Sequence, residues 1–243
     1  INAWDLCGNA FLRLPGIFVQ VEGKPNIFAS PEPNRNVFAP KATRLLRVLL
    51  THRQEPWRVT SLARETELSK GYVSRLVSEL VVNQVAHVDH AGAIRLLDPR
   101  LLLEEWARNY RPSSSGPRRY FMPLEAPVQA LHRLPQSLAS AVGQWAATGP
   151  AGADLVDPYL RVGDLHLFWS GKNDLTHFLT DLKPAVRGAN VLVFRPYDKF
   201  VYYGKRLVQG IPVVSDLQLY LDLSRSGGRA AEHAARFRTT VLE

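Results

Sequence analysis

The sequence predicts an α+β multidomain protein: a partial β-rich region at residues 1–39, a central winged helix-turn-helix at 40–111, and an α/β domain at 118–243. Three observations favour this organisation. Apolar residues recur with helical spacing between residues 42 and 81, a breaker-rich run at 111–117 interrupts the pattern, and short strands alternate with helices beyond it. A polar linker between two patterned segments is typical of a domain boundary.

Composition limits the class of protein. The chain has 243 residues, 46% of them hydrophobic, and a formal net charge of +8. Its longest apolar runs are far shorter than the roughly 18 residues that cross a bilayer, so an integral membrane protein is excluded. The single cysteine, Cys7, allows no intrachain disulfide, which favours a cytoplasmic protein. The chain begins at Ile1 and its one methionine is Met122, so we expect a fragment or a processed chain.

The first region contains a predicted β-hairpin and a loop. Apolar segments at 11–14 and 17–21 flank a Pro15-Gly16 turn. The segment 25–40 is rich in proline and asparagine, which disfavour a regular element.

An enzymatic alternative comes from the same region. Asp5, together with Glu22 and Lys24 at the end of a strand, has the form of a PD-(D/E)XK nuclease site. In that chemistry two carboxylates hold a divalent metal and the lysine polarises the attacked phosphate or the water. The pattern is short and common by chance, so a metal-dependent nuclease is kept as the alternative function.

The central region has the order of elements of a winged helix. Apolar stripes predict helices beginning at Lys41 and Lys70, with a further helix from Thr60, its expected N-cap, to about Glu67. The turn Leu68-Ser69 between the last two helices predicts a helix-turn-helix.

A predicted β-hairpin follows the last of these helices. Residues 85–89 and 93–96 have strand character and flank a His90-Ala91-Gly92 turn, which predicts a wing. Asp98 and Pro99 then suit the N-cap and first position of another helix.

The helix that begins at Lys70 has the features of a recognition helix. Gly71, Arg75 and Ser78 lie opposite its apolar stripe, and Arg75 has the donor geometry that pairs with guanine. Arg44 and Arg47, on the first helix, are expected to contact the DNA backbone together with the wing. The complete set of predicted DNA-binding residues is Arg44, Arg47, Ser69, Lys70, Gly71, Tyr72, Ser74, Arg75, Ser78, His90 and Arg95. A winged helix that serves as a protein-interaction scaffold is a further alternative.

The last region alternates helices and strands. The expected helices cover about 124–147 with an interruption at Pro135, 174–182, 216–223 and a segment from Arg229; the expected strands lie at 161–169, 190–195, 199–203 and 206–214; and a loop is expected at 148–153. Asp222, Arg229 and Glu232 are candidates for a partner-binding or ion-pair cluster.

Three segments of the chain carry a family resemblance: Asp5-Leu6-Cys7-Gly8-Asn9-Ala10 with Val21-Glu22-Gly23-Lys24, the helix start at 41–50, and the run from Gly210 to Glu232. Together they resemble the abortive-infection antitoxins of type IV toxin–antitoxin systems, the AbiEi-like transcriptional regulators. The resemblance implies a DNA-binding winged helix that represses its own operon and a carboxy-terminal domain that is needed to counter a nucleotidyltransferase-like toxin.

The function predicted from the sequence is therefore that of a DNA-binding transcriptional regulator. Its expected partners are double-stranded operator DNA, a cognate toxin protein and a second copy of the chain in a homodimer, with no membrane partner. No cofactor and no metal site are predicted, because His87 and His90 have no third ligand nearby in the sequence.

Overall fold

A computed structural model describes residues 3–4, 10–15, 17–21, 36–111, 116–123, 127–159 and 163–242. The chain divides into two compact units, residues 1–36 and residues 37–243. The linker predicted at 111–117 therefore does not separate two compact units, because helices from both sides of it pack on each other.

The first unit contains a small antiparallel sheet with the strand order β1-β2-β3. Its strands are β1 (Ala3–Trp4), β2 (Ala10–Leu14) and β3 (Ile17–Val21). Pairing of Leu14 with Ile17 confirms the predicted hairpin. The nuclease-like residues Asp5, Glu22 and Lys24 lie outside the described residues.

The second unit begins with the winged helix-turn-helix. Its elements are α1 (Thr43–Thr51), α2 (Val59–Thr66), α3 (Lys70–Val82), β4 (Ala86–Val88), β5 (Ile94–Leu96) and α4 (Pro99–Asn109). Ser69 caps α3, and Asp98 caps α4 by accepting from the backbone N–H of Leu101, as predicted. The predicted cap at Thr60 is wrong, because α2 begins one residue earlier and the hydroxyl of Ser61 accepts from the N–H of Arg58.

The rest of this unit is a mixed sheet with helices packed against it. Its strands are β6 (Arg118–Phe121), β7 (Trp145–Thr148), β8 (Leu165–Trp169), β9 (Lys183–Pro184), β10 (Val191–Phe194), β11 (Arg206–Val208) and β12 (Ile211–Val213). Its helices are α5 (Pro127–Ser137), α6 (Gly149–Asp154), α7 (Asp216–Ser226) and α8 (Gly228–Phe237), with 3-10 turns at Leu175–His177 and Lys199–Tyr202 and a π turn at Arg238–Leu242.

The strand order, within the described residues, is β11-β12-β7-β8-β10-β6-β9. β10 runs parallel to the central strand β8, whereas β7 is antiparallel to it. Every residue of β8 is buried, which is typical of a central strand.

Several predictions for this part are wrong. Residues 206–213 form two antiparallel strands, β11 and β12, instead of one strand, and α5 continues through Pro135. Residues 145–148 form a strand instead of continuing a helix, and 149–154 form a short helix instead of a loop. Residues 199–202 form a 3-10 turn instead of a strand, and the helix predicted at 174–182 is reduced to a single 3-10 turn. In both turns an aspartate, Asp174 or Asp198, caps the turn by accepting backbone N–H groups.

One core connects the winged helix to the sheet region. α1 and α4 both pack on α7, and the indole of Trp106 in α4 is completely buried. In the described part of the chain, no helix combines the length and hydrophobicity that crossing a bilayer requires.

Candidate nucleic-acid interface

Helix α3 has one face fixed to the protein and one face in solvent. Val73, Leu76, Val77 and Leu80 are buried against the rest of the winged helix. The side of the helix opposite this stripe is exposed; it carries Ser69, Lys70, Gly71, Ser74, Arg75 and Ser78. Burial of the apolar stripe fixes the orientation of the helix, so these short and basic side chains stay available to a partner.

Local contacts on this face are weak and leave most polar groups unused. The guanidinium of Arg75 lies 6.0 Å from the ring centroid of the half-buried Tyr72. The hydroxyl of Ser78 donates to the carbonyl oxygen of Ser74 at 3.0 Å. A Cβ atom at Gly71 would meet nothing within 4 Å, so packing inside the protein does not require glycine there. The missing side chain instead allows close approach by an external backbone.

The wing is a rigid hairpin with exposed cationic and imidazole groups. The carboxylate of Asp89 accepts from the backbone N–H groups of Ala91 and Ala93, at 2.9 and 2.8 Å. The bond from Ala93 is the main reason that the pKa of Asp89 is lowered. His90 and Arg95 are both exposed, so the closed turn presents them to solvent.

The acidic residues near α3 are already engaged. Glu65 accepts from the hydroxyl of Tyr203 at 2.8 Å, and Glu67, in the turn between α2 and α3, pairs with Lys199. Glu79 accepts from the amide of Asn83 at 3.3 Å. The first two turns of α3 contain Lys70 and Arg75 and no carboxylate, so their charge is positive.

Arg44 and Arg47 of α1, which the sequence predicts to contact the DNA backbone, are engaged inside the protein instead. Arg44 donates to the carboxylate of Asp198 from Nε at 3.0 Å and from Nη2 at 2.8 Å, and its guanidinium lies over the ring of Phe200. Arg47 is 1% exposed and donates to the hydroxyl of Tyr197 and the amide oxygen of Gln218. Both arginines lie off the apolar stripe of α1, but the carboxy-terminal half of the chain covers this second face.

The predicted cluster in the carboxy-terminal region does not form. The carboxylate of Asp222 accepts from the hydroxyl of Tyr110 at 2.8 Å, from Nε2 of Gln218 at 2.8 Å and from the hydroxyl of Thr148. Burial raises the pKa of Asp222, against these hydrogen bonds, which lower it. Arg229 and Glu232 are exposed on α8 and form no ion pair with Asp222 within the described residues.

Sequence reasoning missed the polar network between the two halves of this unit. Arg47 connects through Gln218 to Asp222 and Tyr110, and burial raises the pKa of the tyrosine. A glutamine inside an apolar helix pattern was the available signal, because a buried amide needs partners.

The described part of the chain contains no set of side chains suited to bind a metal ion. No group of three or more His, Cys, Asp or Glu side chains there could hold a metal ion. His87 and His90 both lie exposed on the wing.

Comparison with protein families agrees with this geometry. Residues 39–90, which include α1 to α3 and β4, match the IclR helix-turn-helix domain. Residues 95–242, more than half of the chain, match the transcriptional regulator family of AbiEi antitoxins from type IV toxin–antitoxin systems. Curated proteins and solved structures contain no match. The chain therefore belongs to the AbiEi antitoxin family of DNA-binding transcriptional regulators.

Proposed function

We propose that this regulator represses transcription by binding operator DNA with α3 in the major groove and so blocking the promoter. The observation that carries the proposal is the face of α3 opposite its buried stripe. It is exposed, it begins at the turn of the helix-turn-helix, and its first two turns contain Lys70 and Arg75 but no carboxylate. A recognition helix reads bases with side chains near its amino-terminal end.

The residues on this face would divide between reading bases and binding phosphates. Arg75 suits the two-pronged contact to O6 and N7 of guanine, and Ser74 and Ser78 suit hydrogen bonds to base edges. Lys70, at the entrance of the helix, would bind a phosphate, as would Arg95 on the wing. Ser69 already caps the helix by accepting from the N–H of Tyr72, so its hydroxyl would contact DNA by donating to a phosphate oxygen.

The proposal includes a homodimer on an inverted repeat. Helix-turn-helix dimers place their recognition helices about 34–36 Å apart, in successive major grooves. The operator would then contain two half-sites separated by about one helical turn.

The test is an equilibrium titration of duplex DNA from upstream of the gene, followed by fluorescence anisotropy. Wild type is compared with Arg75→Ala and with Arg187→Ala, which removes an exposed arginine from the loop before β10. Specific, salt-sensitive binding that Arg75→Ala weakens and Arg187→Ala leaves intact supports the proposal. Equal binding to operator and scrambled DNA contradicts it.

The same titration is repeated with and without Mg²⁺ to test the nuclease alternative. The proposal assigns no enzymatic activity to the chain, so the DNA should stay intact in both conditions. Cleavage that requires Mg²⁺ would contradict the proposed function and would support a nuclease site formed by Asp5, Glu22 and Lys24.

We further propose that the carboxy-terminal part of the chain counters a nucleotidyltransferase-like toxin. The family match to residues 95–242 supports this, because it covers all of this part. Arg75→Ala in the full chain should lose repression and keep protection against the co-expressed toxin. Loss of both would place the two functions on the same surface.

A further inference from the structure

Two arginines are held side by side without a carboxylate between them. Arg111, just after α4, and Arg225, in α7, both donate from Nη1 to the carbonyl oxygen of Tyr110, at 2.9 and 3.3 Å. Within the described residues, neither guanidinium forms an ion pair. Two cations beside one atom repel each other, and an anion bound between them removes that repulsion.

Both arginines line a cavity of about 510 Å³. Its wall includes Leu192 and Phe194 of β10 and His166 of the neighbouring strand β8. A volume of several hundred Å³ with apolar walls and a few polar groups is typical of small-molecule sites.

His166 is a buried polar residue on the wall of the cavity. Its residue is 8% exposed, and no described residue hydrogen-bonds its imidazole. The ring lies 5.7 Å from the ring of Phe194, measured between centroids. Burial lowers the pKa of His166 to about 4, so the imidazole is neutral at neutral pH and can exchange a hydrogen bond with a ligand.

Two carboxylates belong to the same cavity. Asp222 directs its oxygens into the hydrogen bonds with Tyr110, Thr148 and Gln218. Asp164 is exposed and precedes β8, whereas Arg111 follows α4 and Arg225, like Asp222, lies in α7. The anionic end of a ligand is favoured beside the two arginines and away from Asp164, with its uncharged body against β8 and β10.

We propose that this cavity binds a small aromatic acid, a planar ring that carries a carboxylate or a phosphate. The anionic group lies between Arg111 and Arg225, and the ring packs against Phe194 and His166. The shared chemistry fits two sources, an aromatic carboxylate and a nucleoside monophosphate.

The test is a binding titration by calorimetry on the full chain, with the probes applied separately. Indole-3-carboxylate and adenosine monophosphate represent the two sources, and indole-3-carboxamide, adenosine and inorganic phosphate are their controls. The variants are Arg111→Met and Arg225→Met, both at exposed positions, with Arg187→Met as the matched control. Thermal melting of each variant checks that it is folded.

The expected result is saturable binding of one molecule of at least one aromatic acid, weakened about tenfold or more by either cavity variant and unchanged by Arg187→Met. Whichever probe binds identifies the source. Absence of binding by both acids overturns the proposal, as does equal binding of the neutral analogues or of phosphate alone. If Arg111→Met and Arg225→Met weaken operator binding but bind the probe like wild type, the arginines belong to the DNA footprint and the cavity proposal fails independently of the proposed function.

Discussion

His166 makes the folded chain sensitive to acid. Burial lowers the pKa of this imidazole from 6.5 to about 4, and the charge of Asp164 only partly opposes the shift. Because the folded state binds the proton less readily than the unfolded state, the stability from this group is present above pH 6.5 and is lost as the pH falls toward about 4. The change of stability with pH therefore has the opposite sign to the change caused by a salt-bridged histidine.

The magnitude follows from the shift in pKa. A change from 6.5 to about 4 corresponds to about 3 kcal/mol in the free energy of unfolding, of which about 2 kcal/mol is lost between roughly pH 7.5 and 5. Urea denaturation followed by circular dichroism at these two pH values measures the loss.

The variant His166→Gln isolates this contribution from all other titrating groups, including His233, whose pKa burial also lowers. We expect its stability to fall by about 2 kcal/mol less than that of wild type over the same interval. The exposed His132→Gln is the matched control and should lose as much as wild type. An equal loss in wild type and His166→Gln would refute the reasoning.

Three further predictions concern single side chains. Arg47→Ala should lower the free energy of unfolding by about 3 kcal/mol, because it leaves a cavity beside Trp106 and an unpaired amide oxygen on Gln218. Arg47→Met fills the cavity and should recover most of this loss. Equal losses for the two variants in urea denaturation would show that the charge matters more than packing. Gly149→Ala should lower the free energy of unfolding by about 2 kcal/mol in the same assay, because Gly149 has a φ of +58° and the added Cβ would lie 2.4 Å from Nδ1 of His166. Unchanged stability would contradict this tight contact. Lys70→Ala should reduce the slope of log affinity against log salt by about 1 in an anisotropy titration, and an unchanged slope would remove Lys70 from the phosphate contacts.

Local signals predicted the winged helix well. The apolar stripes of α1 and α3, the cap at Ser69 and the Asp98-Pro99 helix start are all decided within a few residues of chain, and the structure contains each of them. The exposed face of α3 followed directly, because burial of one stripe leaves the opposite face in solvent.

Long-range contacts decided the features that the sequence did not reveal. Arg44 and Arg47 face solvent on a helical wheel, yet residues at least 150 positions away bind them: Asp198, Tyr197 and Gln218. The apolar pattern of 145–148 suits a helix or a strand equally, and pairing with β8 selects the strand.

We propose that α3 reads base edges in the major groove through Arg75. The most direct measurement replaces each operator guanine in turn by 7-deazaguanine, which lacks the N7 acceptor, and titrates every duplex with wild type and with Arg75→Ala. We expect one guanine per half-site at which the replacement weakens DNA binding by wild type about 5-fold or more and leaves binding by Arg75→Ala unchanged. Equal losses for the two proteins at every guanine would contradict it.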